Sequence, residues 1–187
     1  MKNPLNNFLP ILIPALSLLV LLSAVFYMQP RAMSYNGLNL LFNLAVPIAL
    51  ATIAQMLIMS VNDLDLSMGT FVSFCACVAA TLLQTSPALG ILILLGAIAI
   101  YAVIGVVIHL RELPSIVVTL GMSFVWGGLA VLILPSPGGT APAFARWIMT
   151  AKPPLVPMAI VASILIAAVT HTIVMRSSFG VLMRGVG

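Results

Sequence analysis

From Leu66 to Leu110 the chain carries no Asp, Glu, Lys or Arg. A helix rises about 1.5 Å per residue, so about 20 apolar residues cross a hydrocarbon core about 30 Å thick. This stretch is long enough to cross twice. The pattern extends over the whole chain of 187 residues, where seven basic and three acidic side chains punctuate apolar runs and 63% of residues are hydrophobic. A soluble domain has about 25% charged residues, against 5% here. That excludes a water-soluble enzyme, a nucleic-acid binder and a disordered tail. The net charge of +4 comes from dispersed cations that form no basic stripe, so no nucleic-acid partner is expected. The cations read instead as markers of topology, and membrane lipid as the solvent of most of the surface.

Cutting the chain at its charges and breakers predicts an all-α, polytopic transmembrane bundle in one domain covering 1–187. Six spans are expected, at about 8–28, 38–60, 69–83, 88–109, 115–134 and 155–175. The run from Gln84 to Pro87 separates the third and fourth as a tight hairpin. The segment from Pro135 to Pro142, with Arg146 and Lys152 beyond it, is the longest polar connection. No small-x-small cleavage site lies between the first apolar run and Arg31, so an uncleaved first helix is expected. With an even number of spans, Lys2, Arg111, Arg176 and Arg184 share a side and face Arg31, Arg146 and Lys152. The margin of basic residues puts both ends in the cytoplasm.

Polar residues at membrane depth must find a partner or line water. The second span carries Asn39 and Asn43 on one face, then Pro47, then Thr52 and Gln55 on another. Interhelical hydrogen bonding and a substrate path both account for them. Cys75 and Cys77 point to different faces of the third span and read as small buried residues. His109 and His171 lie near span ends and read as interfacial, with a proton relay as the sharper alternative. In the third span Ser73, Ala76, Cys77 and Ala80 form a small face opposite Phe71, Phe74, Val78 and Leu82, and the small face is expected to meet another helix. Ser123 and Gly127, with Gly121 and Gly128 nearby, suggest a second close contact.

The sharpest local feature runs from Ser60 to Thr70, where Asn62, Asp63, Asp65 and Ser67 crowd one short turn without a basic neighbour. Asp65 and Ser67 are N-cap types that suit the start of the third span. Capping explains one acidic residue better than two. The spacing does not complete a calcium loop, and no cofactor is expected.

The segment Asp65-Leu66-Ser67-Met68-Gly69 resembles the Asp-Leu-Ser-x-Gly signature of the ribose-type, simple-sugar ABC transporter permeases of bacterial inner membranes. Pro114-Ser115-Ile116, continuing to Thr119-Leu120-Gly121 after Arg111 and Glu112, resembles the family's Pro-x-Ile-x-Thr-Leu-Gly opening of a helix, with one more residue between the Ile and the Thr. Ser177 to Gly180 resembles the segment that leaves the sixth span. The chain departs from the pattern at Asn62 and Asp63, where glycines are common, and at Val181, where a basic residue is common. Family permeases also continue well past the point corresponding to Gly187, so a truncated or partial permease, inserting without importing sugar, is the expectation for a chain of this length.

The resemblance implies a translocation path for a ribose- or xylose-like sugar, with Asn43, Gln55, Asn62, Asp63, Asp65, Ser67 and Gly69 on or near it. It implies coupling through Arg111, Arg176, Gly180 and Arg184 to a cytoplasmic ABC ATPase subunit. A periplasmic sugar-binding protein and a second permease subunit complete the implied set of partners. The chain has no G-x-x-x-x-G-K-[ST] phosphate loop, so it reads as a conduit rather than an enzyme. A secondary transporter, with Asp63 and Asp65 as the coupling groups, is the alternative from another class, alongside a non-transporting membrane protein. The topology has a direct test. A cysteine at Ser136, in a background lacking Cys75 and Cys77, is expected to react with an impermeant maleimide outside intact cells; labelling only after lysis reverses the orientation.

Overall fold

The computed structural model describes residues 5–150 and 158–186. In order it contains α1 (Leu5–Met28), a 3-10 turn (Pro30–Met33), α2 (Tyr35–Met59), α3 (Met68–Ala80), α4 (Leu82–Thr85), α5 (Pro87–Arg111), α6 (Ser115–Ile133), α7 (Ala143–Thr150), α8 (Met158–Arg176) and α9 (Ser178–Val186). No strand occurs among the described residues. Six runs are long and apolar enough to cross a membrane, with α3 and α4 counted together as Met68–Thr85. The chain is a multi-pass α-helical membrane protein. Lys2, Lys152, Gly187 and residues 155–157 of the expected sixth span lie outside the described residues.

Helix ends follow local chemistry. Ser34 caps α2, its hydroxyl accepting from the Gly37 N–H at 3.2 Å. The stop of α2 explains Asn62, which sits at φ 61° while the Asp63 N–H reaches back to the Ile58 carbonyl at 3.3 Å. Glu112, at φ 50°, ends α5 in the same way, with the Leu113 N–H on the Ile108 carbonyl at 3.1 Å. Asparagine tolerates this left-handed conformation better than most residues, and the wrap-around bond satisfies a carbonyl that the helix end leaves open.

The third span is not one continuous helix. It breaks at Thr81 (φ −123°, ψ −75°), where the Thr81 hydroxyl donates to the Cys77 carbonyl at 2.7 Å. A side-chain bond of this kind competes with the backbone ladder. Four further helical residues lead to Pro87 at the first turn of α5. The hairpin is tight: a side chain on Gly90 would lie 2.9 Å from the Leu83 backbone nitrogen.

The core lies between α3, α5 and α6, where Phe74, Val78, Ala97, Trp126 and Ala130 are buried. Phe74 and Phe71 each meet the Trp126 ring at 5.1 Å between centroids. The bulky face of α3 therefore makes the main contact, and the expectation that the small face would do so is corrected. Ser73 and Ala76 are exposed, while Cys77 and Ala80 are half-buried. Large aromatic contact outweighs close backbone approach here. The Gly127 expectation holds better, since a Cβ there would lie 3.9 Å from the Thr70 methyl. Cys75 and Cys77 are free thiols beside the core.

α3 and α6 run parallel and are tied at both ends. The Leu66 N–H meets the Thr119 hydroxyl at 3.1 Å near their starts. Near their far ends the Thr140 N–H meets the Ala80 carbonyl at 3.4 Å, and the Gln84 amide donates to the Thr140 hydroxyl at 2.6 Å. The connection after α6 thus folds over the end of α3, with Gly139 at φ +85° making the turn. Elsewhere α2 packs on α8 and α8 on α9, while α1 lies against the 3-10 turn.

The α8–α9 junction leaves no room at Gly180, where a Cβ would press into the Val174 carbonyl and stand 2.6 Å from the Ile173 carbonyl oxygen. Gly180→Ala is expected to destabilise the protein by about 1–3 kcal/mol through overpacking. Gly185→Ala, which points into open space, is the matched control. Unfolding in mixed micelles followed by circular dichroism checks it, and equal stability of the two variants would show that the junction relaxes freely.

Candidate functional site

The turn between α2 and α3 gathers the polar residues that the sequence singled out. Asp63 is exposed, and its Oδ1 accepts from the Ser115 hydroxyl at 2.7 Å. Ser115 opens α6 directly after Pro114, so this bond and the Leu66–Thr119 bond dock the turn on the start of α6. Asp65 and Ser67 face inward and are 8% and 1% exposed. The Asp65 Oδ1 accepts from both the backbone N–H and the hydroxyl of Ser67, each at 2.7 Å. Its Oδ2 accepts from the Tyr101 hydroxyl, which also stands 2.8 Å from the Ser67 hydroxyl.

Asp65, Ser67 and Tyr101 therefore close a triangle of hydrogen bonds, and among the described residues no basic side chain pairs with Asp65. The expected cap takes a different form. Ser67 is the N-cap residue of α3, yet its side chain makes no bond to the helix; it donates to Asp65 instead. The carboxylate organises the turn by accepting from Ser67 just before the helix begins. A carboxylate in a dry site needs such donors, because an unmet buried charge is costly.

Tyr101 is the member of this cluster that the sequence did not single out. It is the only tyrosine between Leu66 and Leu110, and a buried tyrosine hydroxyl usually finds a partner. That rule supplied a usable signal, though the identity of the partner depended on how α5 packs. The Tyr101 ring joins the triangle to the apolar core, 4.6 Å from Phe71 and 6.2 Å from Trp126 between centroids. The Trp126 Nε1 is buried and has no partner among the described residues.

Two open cavities meet at the triangle. One, of about 410 Å³, is bounded by α2, α3 and α5 and is lined mainly by apolar groups including Pro47, Ala51, Ile58 and Phe71. The other, of about 280 Å³, is lined by Asp63, His109 and Thr119 with Ile58, Ile104 and Ile108. Asp65 and Tyr101 line both. Ile58 lines both as well, so the hydrogen-bonded pair is part of the boundary that the cavities share. The second cavity offers acceptors and donors suited to hydroxyl groups, whereas the first is close to pure hydrocarbon.

The other expected residues do not join this cluster. Asn43 and Gln55 are half-buried on α2 and line neither cavity. Asn39, on the same helix, has a buried Oδ1 with no partner among the described residues, and the Thr52 hydroxyl bonds back to the Ile48 carbonyl at 2.8 Å. Gly69 lies in the first turn of α3 with open space around it. Arg111 and Arg176 are exposed at the ends of α5 and α8, and Arg184 falls on α9. No three His, Cys, Asp or Glu side chains among the described residues gather closely enough to hold a metal ion. Comparisons with family models, characterised proteins and solved structures find no match for this chain.

The triangle makes a graded prediction. Asp65→Asn keeps an acceptor for Ser67 and an amide that can donate to Tyr101, so a loss of about 1 kcal/mol or less is expected. Asp65→Leu strands the Ser67 and Tyr101 donors in a buried site and is expected to cost at least about 2 kcal/mol. Thermal unfolding in detergent measures both, and equal stability of the two variants would refute the arrangement.

Proposed function

We propose that this multi-pass membrane protein is a permease subunit of an ATP-driven importer for a simple sugar, ribose- or xylose-like, in a bacterial inner membrane. The observation that carries the reading is the buried Asp65–Ser67–Tyr101 triangle between two cavities. Two of its three residues, Asp65 and Ser67, fall in the segment Asp65 to Gly69 that resembles the signature of the sugar permeases, and the cavity beside Asp63, His109 and Thr119 offers polar groups to a solute rich in hydroxyls.

In this reading a periplasmic sugar-binding protein delivers its load at the end of the bundle carrying the Pro135 to Pro142 connection. A cytoplasmic ABC ATPase subunit engages the end carrying Arg111, Arg176 and α9. A second permease subunit completes the path. ATP biases two packings of the helices, since a ligand or partner moves such an equilibrium only through its different affinity for the two states.

Two measurements test the reading together. Affinity purification of the tagged chain from native membranes in mild detergent is expected to recover an ABC ATPase subunit and a sugar-binding protein. In cells lacking their own permease, a complete permease containing this segment is expected to restore uptake of labelled ribose or xylose that survives collapse of the proton gradient while ATP is maintained, whereas the 187-residue form alone is expected not to. Uptake that follows the ion gradient instead would assign the protein to the secondary transporters, with Asp65 as the coupling carboxylate. A chain recovered without an ATPase, together with a complete permease that restores no sugar uptake, would overturn transport of this kind.

A further inference from the structure

The connection between α6 and α8 contains α7, Ala143–Thr150, a short helix unlike the spans. Phe144 and Trp147, three apart, share one side of it, while Arg146 falls on the other. Phe144 and Trp147 are 62% and 74% exposed, so most of this aromatic face is open. The spans are far more apolar along their length, with mean hydropathy between 1.5 and 3.0.

The distribution of Trp and Tyr says what covers it. Six crossings place the connections after the first and fifth spans on the same side of the membrane. Tyr27 in the last turn of α1, 89% exposed, and Tyr35 at the start of α2 lie on that side with Trp147. Arg31 and Arg146 lie there too. The remaining Trp and Tyr, Trp126 and Tyr101, are in the core. The turns at the other end, around Asp63, Glu112 and Ser177, carry neither residue. A girdle of amphipathic rings with nearby cations marks the level at which hydrocarbon meets headgroups.

We propose that α7 lies flat in the lipid–water interface on the Arg31 side, with Phe144 and Trp147 sunk to the boundary between headgroups and acyl chains. An amphipathic helix with aromatic residues on its apolar face binds in this way, about 5–10 Å into the interface. Residues 134–142 fit the same placement, because Thr140 is already pinned to the end of α3 by Ala80 and Gln84. Residues 134–150 therefore run along the membrane surface beside the ends of α3 and α6. This inference rests on the membrane fold alone and stands or falls independently of the substrate.

The test uses the two tryptophans. The protein is reconstituted in phosphatidylcholine vesicles whose acyl chains carry bromine near the carboxyl end or near the methyl end. The Trp147 signal is taken as the difference between wild type and Trp147→Phe, which leaves the buried Trp126 in place; Trp126→Phe gives the same signal directly. Trp147 is expected to emit at blue-shifted wavelengths and to lose most of its intensity to the shallow bromines. The deep bromines should quench it less and aqueous iodide little. Quenching by iodide without quenching by either bromolipid would put α7 in water. Protection from iodide and bromine alike would put protein over this face. Strongest quenching by the deep bromines would bury the helix in the bilayer. Each of these three results overturns the proposal.

Discussion

The Asp65 carboxylate determines how three helices meet. Its two oxygens are claimed by the N–H and hydroxyl that open α3 and by a hydroxyl from the middle of α5, and the adjoining backbone at Leu66 is claimed by Thr119 on α6. In lipid there is little hydrophobic force to drive helix against helix, so packing and polar contacts set the register. A buried carboxylate with several specific donors is satisfied in few arrangements. The aromatic contacts of Phe71, Phe74, Tyr101 and Trp126 then fill the space beside it.

The same solvent argument explains why so much of the chain looks unpacked. Ile11, Leu12, Ile13, Leu16 and Leu19 on α1 are all more than half exposed, which in water would be untenable. In a bilayer these side chains sit among acyl chains as apolar as themselves. What α1 gains from the rest of the bundle is correspondingly small. The α3, α5 and α6 group, by contrast, buries its aromatic side chains and its polar triangle together.

Span number and span positions were legible in the sequence because charge is so costly at membrane depth that its absence marks each crossing. The crowding of Asn62, Asp63, Asp65 and Ser67 was legible as an anomaly. Its resolution was not, because each residue answers to a different partner: Asn62 to its own backbone, Asp63 to Ser115, and Asp65 to Ser67 and Tyr101. The Ser115 and Tyr101 partners lie 52 and 36 residues away in the chain, beyond the reach of local spacing. The break at Thr81 was missed because a threonine in an apolar run looks like any other helical residue, and the hydroxyl bond it makes to Cys77 is one that Thr52 makes to Ile48 inside unbroken α2. The face of α3 was misjudged because small-residue spacing describes how closely backbones can approach; it does not weigh that approach against the area an aromatic stack provides on the opposite side.

The position of the triangle also constrains what a solute path through this bundle would require. A hydroxylated solute in the cleft of Asp63, His109 and Thr119 meets acceptors and donors, whereas in the neighbouring cavity it meets Pro47, Ala51 and Phe71. Asp65, Tyr101 and Ile58 line both. A path joining the cavities through Asp65 and Tyr101 would part the Tyr101 hydroxyl from the carboxylate, and a hydrogen bond to a charged group contributes about 1.5–3 kcal/mol. Two conformations of a working transporter differ by a few kcal/mol. Separation of this one contact therefore costs about as much as the gap to be bridged, and a hydroxyl of the solute taking the place of Tyr101 would offset it. In a permease built on this bundle, the bond that orders α3 and α5 at rest is also the one a polar solute is best able to replace.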